Sequence, residues 1–228
     1  DPDHPRDRIA AIVNEAHPAV ILAHAATRPA LPDGLEIIDL EADDILISKF
    51  GEENPYSSIQ VQNLAYVMYT SGSTGKPKGS ALAHQCIVNR LAWMQKQYQL
   101  TDQDRVLQKT PFSFDVSVWE FFWPLMVGAE LVVLAPDAHK DSSRLIEKID
   151  QAQISVVHFV PSMLAVFLEA VTQSSCPSLR LVFCSGEALP LAVVEKFREK
   201  IPAKLHNLYG PTEASVDVTY WPCEQHNP

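Results

Sequence analysis

The chain has 228 residues, 46% of them hydrophobic, and a formal net charge of −10. That length can bury a substantial core as one large domain or two small ones, and an acidic balance with no basic stripe speaks against nucleic acid as a partner. No apolar run reaches the ~20 residues that span a bilayer, so no membrane partner is expected. The four cysteines (Cys86, Cys176, Cys184, Cys223) and eight histidines lack metal-ligand or disulfide spacing, which points to reduced thiols and a cytoplasmic location.

Helical and strand patterns alternate along the chain. The segment 1–5 has the look of a turn, with neither a basic region nor an apolar stretch, so no signal peptide is read there and a piece of a longer chain is expected. Residues 6–16 read as a helix with Ile9, Ile12 and Val13 on one face, 19–23 as a strand and 35–40 as a second, short strand. Residues 41–60 are acidic, then polar, with Gly51 and Pro55, and read as a surface connection. A strand at 64–69 is followed by a helix at 84–98, a strand at 105–109, an aromatic-rich helix at 116–127 and a buried strand at 129–134. Next come a helix at 142–151 capped by Asp141 or Ser142, a strand at 154–160, and a helix at 161–171 opening on proline. A strand at 179–184, a helix at 191–200, and strands at 204–208 and 216–220 complete the pattern.

Short apolar strands alternating with helices predict an α/β fold with a layered, mostly parallel sheet flanked by helices. Two domains are expected: a partial α/β subdomain with its connection at 1–60, and a core α/β subdomain at 61–228. In such sheets ligands bind beyond the carboxyl ends of the strands. Three polar motifs follow predicted strands: residues 70–79, Ser185-Gly186-Glu187, and Tyr209 to Glu213. They are expected to meet at one sheet edge.

The first motif reads YTSGSTGKPKG, from Tyr69 to Gly79. Its glycines let backbone N–H groups approach an anion, its hydroxyls donate to oxygens, and Lys76 and Lys78 supply charge. That is the chemistry of a polyphosphate loop. It departs from the other common phosphate loop because Pro77, and not Ser or Thr, follows Lys76.

Three stretches then carry a resemblance: LAYVMYTSGSTGKPKG at 64–79, FSFDVSVWEFFWPLMVGAELVV at 112–133 and NLYGPTEASVDVTYW at 207–221. Together they resemble the adenylate-forming enzymes, specifically the amino-acid-activating adenylation domains of nonribosomal peptide synthetases. The resemblance implies a flavodoxin-like core and a reaction in which a carboxylate attacks the α-phosphorus of ATP, releasing pyrophosphate. The acyl group then passes to the phosphopantetheine thiol of a peptidyl carrier protein. It implies that Thr70, Ser71, Gly72, Ser73, Thr74, Gly75 and Lys76 hold the phosphates, and that Glu213 binds Mg²⁺. Thr212 would reach the α-phosphate. Tyr209 would stack on adenine, with Asn207, Gly210 and the Gly186-Glu187 backbone around it. Thr70, Lys76, Thr212 and Glu213 are the expected catalytic groups.

The resemblance also implies an amino-acid pocket made of Phe114, Asp115, Val116, Trp119, His158, Phe183, Ser185, Leu208, Val216 and Asp217. Asp115 would bind the substrate's α-ammonium; a helix N-cap is the plainer role for the same residue. Apolar walls with two polar groups, His158 and Asp217, suit a small hydroxyl, and Trp119 limits the depth. L-serine is the expected substrate, in a set similar to serine-activating domains of siderophore synthesis. Two local departures stand out: Ser80-Ala81 where the family commonly continues Gly-Val, and Ser185 where it commonly has glycine.

The segments that carry the family's ribose-binding aspartate and catalytic lysine have no counterpart in residues 1–228. The chain is expected to be a central portion of the large subdomain, with at most feeble adenylation alone. A substrate-recognition module without chemistry and an acyl-coenzyme A ligase of the same superfamily stand as the alternatives, the second disfavoured by Asp115.

Overall fold

The computed structural model describes residues 4–71 and 77–224. The chain divides into two compact units, residues 1–63 with 69–80, and residues 64–68 with 81–228. The first contains α1 (Arg6–Ala16), β1 (Ile21–Ala23), β2 (Ile37–Asp39) and the one-turn helix α2 (Asp44–Ile47). Strands β1 and β2 pair in parallel with Ile21 opposite Ile37. The Asp39 carboxylate accepts the amides of Glu41 and Ala42, both at 3.1 Å, which turns the chain into α2. The expected featureless connection at 41–60 therefore contains a helical turn.

Strand β3 (Leu64–Ser71) pairs with β4 (Pro77–Ala83) in a two-stranded sheet of their own. Pro77, Lys78 and Gly79 read as loop in the sequence because none favours strand; Ser80 and Leu82 nevertheless alternate inward in the manner of a strand. The three motifs therefore do not leave one sheet, contrary to the sequence expectation: the first follows β3 of this separate sheet, and only the other two leave the large one.

The second unit is a layered α/β body. It contains α3 (His84–Tyr98), β5 (Arg105–Gln108), α4 (Val116–Val127), β6 (Glu130–Val133) and α5 (Ser142–Gln151). Beyond these come β7 (Val156–Phe159), α6 (Pro161–Ala170), β8 (Leu181–Cys184), α7 (Leu191–Lys200), β9 (Lys204–Tyr209) and β10 (Thr219–Pro222). The six-stranded sheet runs β10-β9-β8-β7-β5-β6. All neighbours are parallel except β10, which closes the edge antiparallel to β9 with Thr219 opposite Tyr209. The final strand begins three residues later than the sequence pattern suggests, because Ser215 and Val216 have positive φ (66° and 76°) and belong to the turn.

Side-chain alternation sorts the core into two layers. Ile87, Leu91, Met94 and Tyr98 of α3 and Val116, Trp119 and Trp123 of α4 pack on Val106, Val156, Leu181 and Phe183. Leu145 and Ile149 of α5, Leu164 and Phe167 of α6, and Phe197 of α7 pack on Leu107, Val157, Val182 and Leu205. Asp141 caps α5 as expected, accepting the amides of Ser143 at 2.9 Å and Arg144 at 3.3 Å. The order of the sheet reverses direction at β5, since β6 lies on one side of it and β7 on the other. This is the topological switch point at which α/β sheets hold ligands.

His206 of β9 is 6% exposed, its ring packed 4.9 Å from Tyr98 and 5.8 Å from Phe183, and neither ring nitrogen has a hydrogen-bond partner. Burial, with Lys204 adding to it, pushes its pKa down from 6.5 to about 4. A depressed folded-state value means the unfolded chain takes the proton first as pH falls below about 6.5, so this residue's stability contribution is lost between there and about 4. By pH 5 the loss amounts to about 2 kcal/mol. The stability difference between the wild-type chain and His206→Phe, measured by urea unfolding, should therefore shift by about that much in the variant's favour between pH 7 and pH 5.

Candidate amino-acid and nucleotide site

The candidate residues of the second unit cluster at the carboxyl ends of β5, β7, β8 and β9. Their frame begins with Glu120, the only charge in the apolar helix α4 and fully buried. Its Oε2 accepts the amides of Lys109 at 3.2 Å and Thr110 at 3.0 Å, and its Oε1 accepts the Thr110 hydroxyl at 2.7 Å. Burial raises its pKa while the Lys109 charge opposes the rise. Three hydrogen bonds and the nearby Lys109 charge make a buried carboxylate tolerable. They also fix the end of β5, and with it the turn that presents Asp115.

Asp115 occupies the N-cap position just before α4, but its side chain makes no capping hydrogen bond. The amides of Ser117 and Val118, which a capping carboxylate would take, donate to the carbonyls of Phe114 and Asp115, each at 3.0 Å. The plainer N-cap role is thus absent, and the carboxylate interacts with Thr212 instead. Burial lifts its pKa; Thr212 and the amides of residues 115 and 116 pull it down, and the Glu213 carboxylate adds to the rise. Asp115, Thr212 and Glu213 therefore lie within electrostatic reach of one another. Phe114 beside them is exposed.

Val116, Trp119, Phe183, Leu208 and Val216, the other apolar positions expected in the pocket, are all buried, with Trp119 and Phe183 at 0% exposure and their ring centroids 5.4 Å apart. His158 of β7 lies 6.1 Å from Trp119, and its Nε2 meets the Ser185 Oγ at 2.9 Å. Complete burial holds its pKa well below the usual value, with nearby Lys109 acting the same way, so the ring is neutral. Asp217, the second polar group expected to suit a hydroxyl, takes a 2.8 Å hydrogen bond on Oδ2 from Arg90 of α3.

The remaining positions divide by role. Tyr209, the last residue of β9, is 70% exposed. Asn207 precedes it on the same strand, opposite Trp221 of β10. Gly186 has φ of 88°, a left-handed backbone suited to glycine. The Glu187 carboxylate is already engaged, accepting the Ser162 amide at 3.0 Å and hydroxyl at 3.1 Å at the start of α6. Gly210 is a packing necessity: a Cβ there would sit 2.5 Å from the Asp217 Cα. Thr70 donates to the Lys78 carbonyl at 3.5 Å across the β3–β4 pair. The side chain of Ser71, and Gly72, Ser73, Thr74, Gly75 and Lys76 entirely, lie outside the described residues.

A cleft of about 480 Å³ runs between α3 and the segment after β9. Cys86, Asn89, Arg90 and Trp93 line one wall, at the i, i+3, i+4, i+7 spacing of one helix face. Glu213, Ser215, Asp217 and Thr219 are on the other. The volume falls in the range of small-molecule sites. Glu213 is exposed there and offers hard oxygen ligands, which suits a magnesium ion that takes one or two carboxylates and completes its shell with water and phosphate. No cluster of three or more His, Cys, Asp or Glu able to hold a metal occurs among the described residues.

The whole of residues 1–228 matches the model of the AMP-binding enzyme family. The chain belongs to that family. It is 47% identical over 230 residues to the vanchrobactin synthetase VabF of Vibrio anguillarum, covering 97% of this chain and 8% of that protein. It is 43% identical over 226 residues to enterobactin synthase component F of Escherichia coli K12, covering 97% and 17%. Among solved structures it superposes on the nonribosomal peptide synthetase FmoA3 in its AMPPNP-bound form with a TM-score of 0.88 at 26% identity, over 99% of this chain and 24% of that one. The α-methyl-L-serine-AMP-bound form of the same protein gives 0.86 at 26% identity, over 99% and 26%. The sequence and the layered α/β fold are those of nonribosomal peptide synthetase adenylation domains. The chain spans less than a fifth of the length of the two synthetases it is compared with here.

Sequence reasoning missed Glu120 and Arg90. Glu120 could have been found as the lone charge in a helix otherwise apolar on every face. Arg90 carried a fainter signal, adjoining the buried stripe of Ile87, Leu91 and Met94. The Gly210 contact predicts that Gly210→Ala pushes the 216–218 backbone away from β9. We expect a loss of about 1–3 kcal/mol of stability in urea unfolding, with no comparable loss for Gly51→Ala, where a Cβ meets nothing within 4 Å.

Proposed function

We propose that the protein carrying this chain activates a small neutral amino acid, L-serine, as its adenylate, and passes it to the phosphopantetheine thiol of a peptidyl carrier protein. The observation that carries this reading is Asp115: a buried carboxylate whose pKa burial raises, at the N-cap position of an apolar helix but making no capping hydrogen bond. Such a group gains most from an ammonium partner. An α-amino acid supplies one, and a fatty or aryl acid does not.

The rest of the site fits around that anchor. With the α-ammonium on Asp115, the substrate side chain would lie over Trp119 and Phe183 towards His158. Neutral His158, held by Ser185, can exchange a hydrogen bond with a hydroxyl, and the Trp119 and Phe183 rings leave room for little more. The α-methyl-L-serine adenylate bound by the related FmoA3 supports a hydroxymethyl side chain in this kind of pocket. Exposed Tyr209 would stack on adenine beside Asn207 and the Gly186-Glu187 backbone. Thr212, within reach of Asp115, would meet the reacting carboxylate and α-phosphate. Glu213 would hold Mg²⁺, whose contribution when bound is to neutralise phosphate charge. Thr70, Ser71, Gly72, Ser73, Thr74, Gly75 and Lys76 would cradle the outer phosphates. Catalysis of this kind is mostly positioning and charge stabilisation.

The test is calorimetric titration with two non-hydrolysable adenylate analogues, seryl and alanyl. The seryl form should bind at least about tenfold tighter, since an unmatched polar pair costs about 1–3 kcal/mol. Asp115→Ala should weaken both by about tenfold or more, as expected when a hydrogen-bonded charge partner is lost. Equal affinity for the two analogues in the wild type would exclude serine; an unaffected Asp115→Ala would exclude amino-acid recognition by this carboxylate.

A further inference from the structure

Arg90 projects from the middle of α3 and is 5% exposed. Its Nη2 donates to the Asp217 Oδ2 at 2.8 Å, and its guanidinium carbon stands 4.9 Å from the Trp93 ring centroid. The Asp217 side chain is equally enclosed, at 3%. Nε and Nη1 of Arg90 are buried without any acceptor. A side chain serving only to fill space would not leave two buried donors unpaired, because each costs free energy. Both partners line the cleft beside Glu213.

The charge balance at Asp217 is what matters. A buried carboxylate at the end of a substrate pocket attracts an ammonium or guanidinium group and repels another carboxylate. Asp115 acts on Asp217 with the same sign, and Arg90 is the opposing charge. Without Arg90 the region would hold two carboxylates, and one of them would be free for a cationic substrate side chain.

We propose that Arg90, which lies outside the positions assigned to the amino-acid pocket above, sets the pocket's charge selectivity by occupying Asp217, so that neutral side chains are accepted and cationic ones refused. The inference rests on the amino-acid-activating reading and goes beyond it by naming a positioning residue on a helix that supplies none of the pocket positions. Arg90 acts through Asp217 and touches no reacting atom.

The experiment is amino-acid-dependent pyrophosphate exchange by the synthetase that carries this chain, comparing L-serine with L-2,3-diaminopropionate. The two differ only in a hydroxyl against an ammonium, so size is held constant. Arg90→Met should shift the ratio of kcat/KM values about a hundredfold towards diaminopropionate, the scale of one buried charge pair made or lost. Arg90→Lys keeps the charge and should hold the ratio within about tenfold of wild type. Arg90→Met with Asp217→Leu removes both charges and should restore the preference for serine. Should Arg90→Met fail to fold, Asp217→Asn serves instead: it leaves the guanidinium unopposed and should depress diaminopropionate about tenfold more than serine. Equal losses for both substrates in these variants would reduce Arg90 to a structural tie and overturn the inference, leaving the serine reading intact. A wild type that prefers another neutral amino acid would overturn serine alone, and the same variants then decide on that amino acid and its ammonium-bearing analogue. A wild type that prefers a cationic amino acid would overturn both.

Discussion

The ring of Phe183 is the contact on which the site-bearing layer depends. It lies at the centre of β8 with no exposed surface, and Trp119, Trp123, Tyr98 and His206 all pack edgewise or tilted against it within 6.2 Å. Those rings come from α3, α4 and β9, so a single side chain joins two helices to two strands. Aromatic pairs in such arrangements contribute about 0.5–1.5 kcal/mol each beyond the area they bury. Trp119 and Phe183 are also among the residues proposed for the amino-acid pocket. On that reading core and pocket share atoms, and a change to the pocket is felt as a change in packing.

This double use explains which features were legible in the sequence. The helices at 84–98, 116–127, 142–151 and 191–200 stand where apolar periodicity and capping residues put them, because those signals are local. The polar motifs after β8 and β9 were legible for a similar reason: glycine, hydroxyl and acidic residues concentrated just past an apolar strand have few structural uses. Strand β4 was hidden because Lys78 and Gly79 oppose strand formation, and pairing with β3 overrides them.

What the sequence could not convey was partnership. His158 and Asp217 read as two polar groups in need of company, and nothing local says that one finds Ser185 and the other Arg90. Glu187 shows the same limit. Nothing local says that its carboxylate closes the start of α6, a role separate from the backbone contact expected of Gly186-Glu187. Each of these bonds joins different elements, and the assembled sheet alone decides which ends meet. Val216, with its φ of 76°, belongs here as well. A β-branched residue is a poor candidate for a left-handed turn on local grounds, and it is held there by the close passage of the segment beside Gly210.

The Arg90–Asp217 bond spans 127 residues of sequence. During synthesis at ~5–20 residues per second, Arg90 waits roughly 6–25 seconds for its carboxylate to be made. Until then α3 carries an uncompensated guanidinium on the face that will be buried, and burying it alone is unfavourable. Docking of that side chain is thus deferred until the turn after β9 exists. The layer formed by α5, α6 and α7 has no such dependence, so the face of the sheet that α3 covers is expected to close after it.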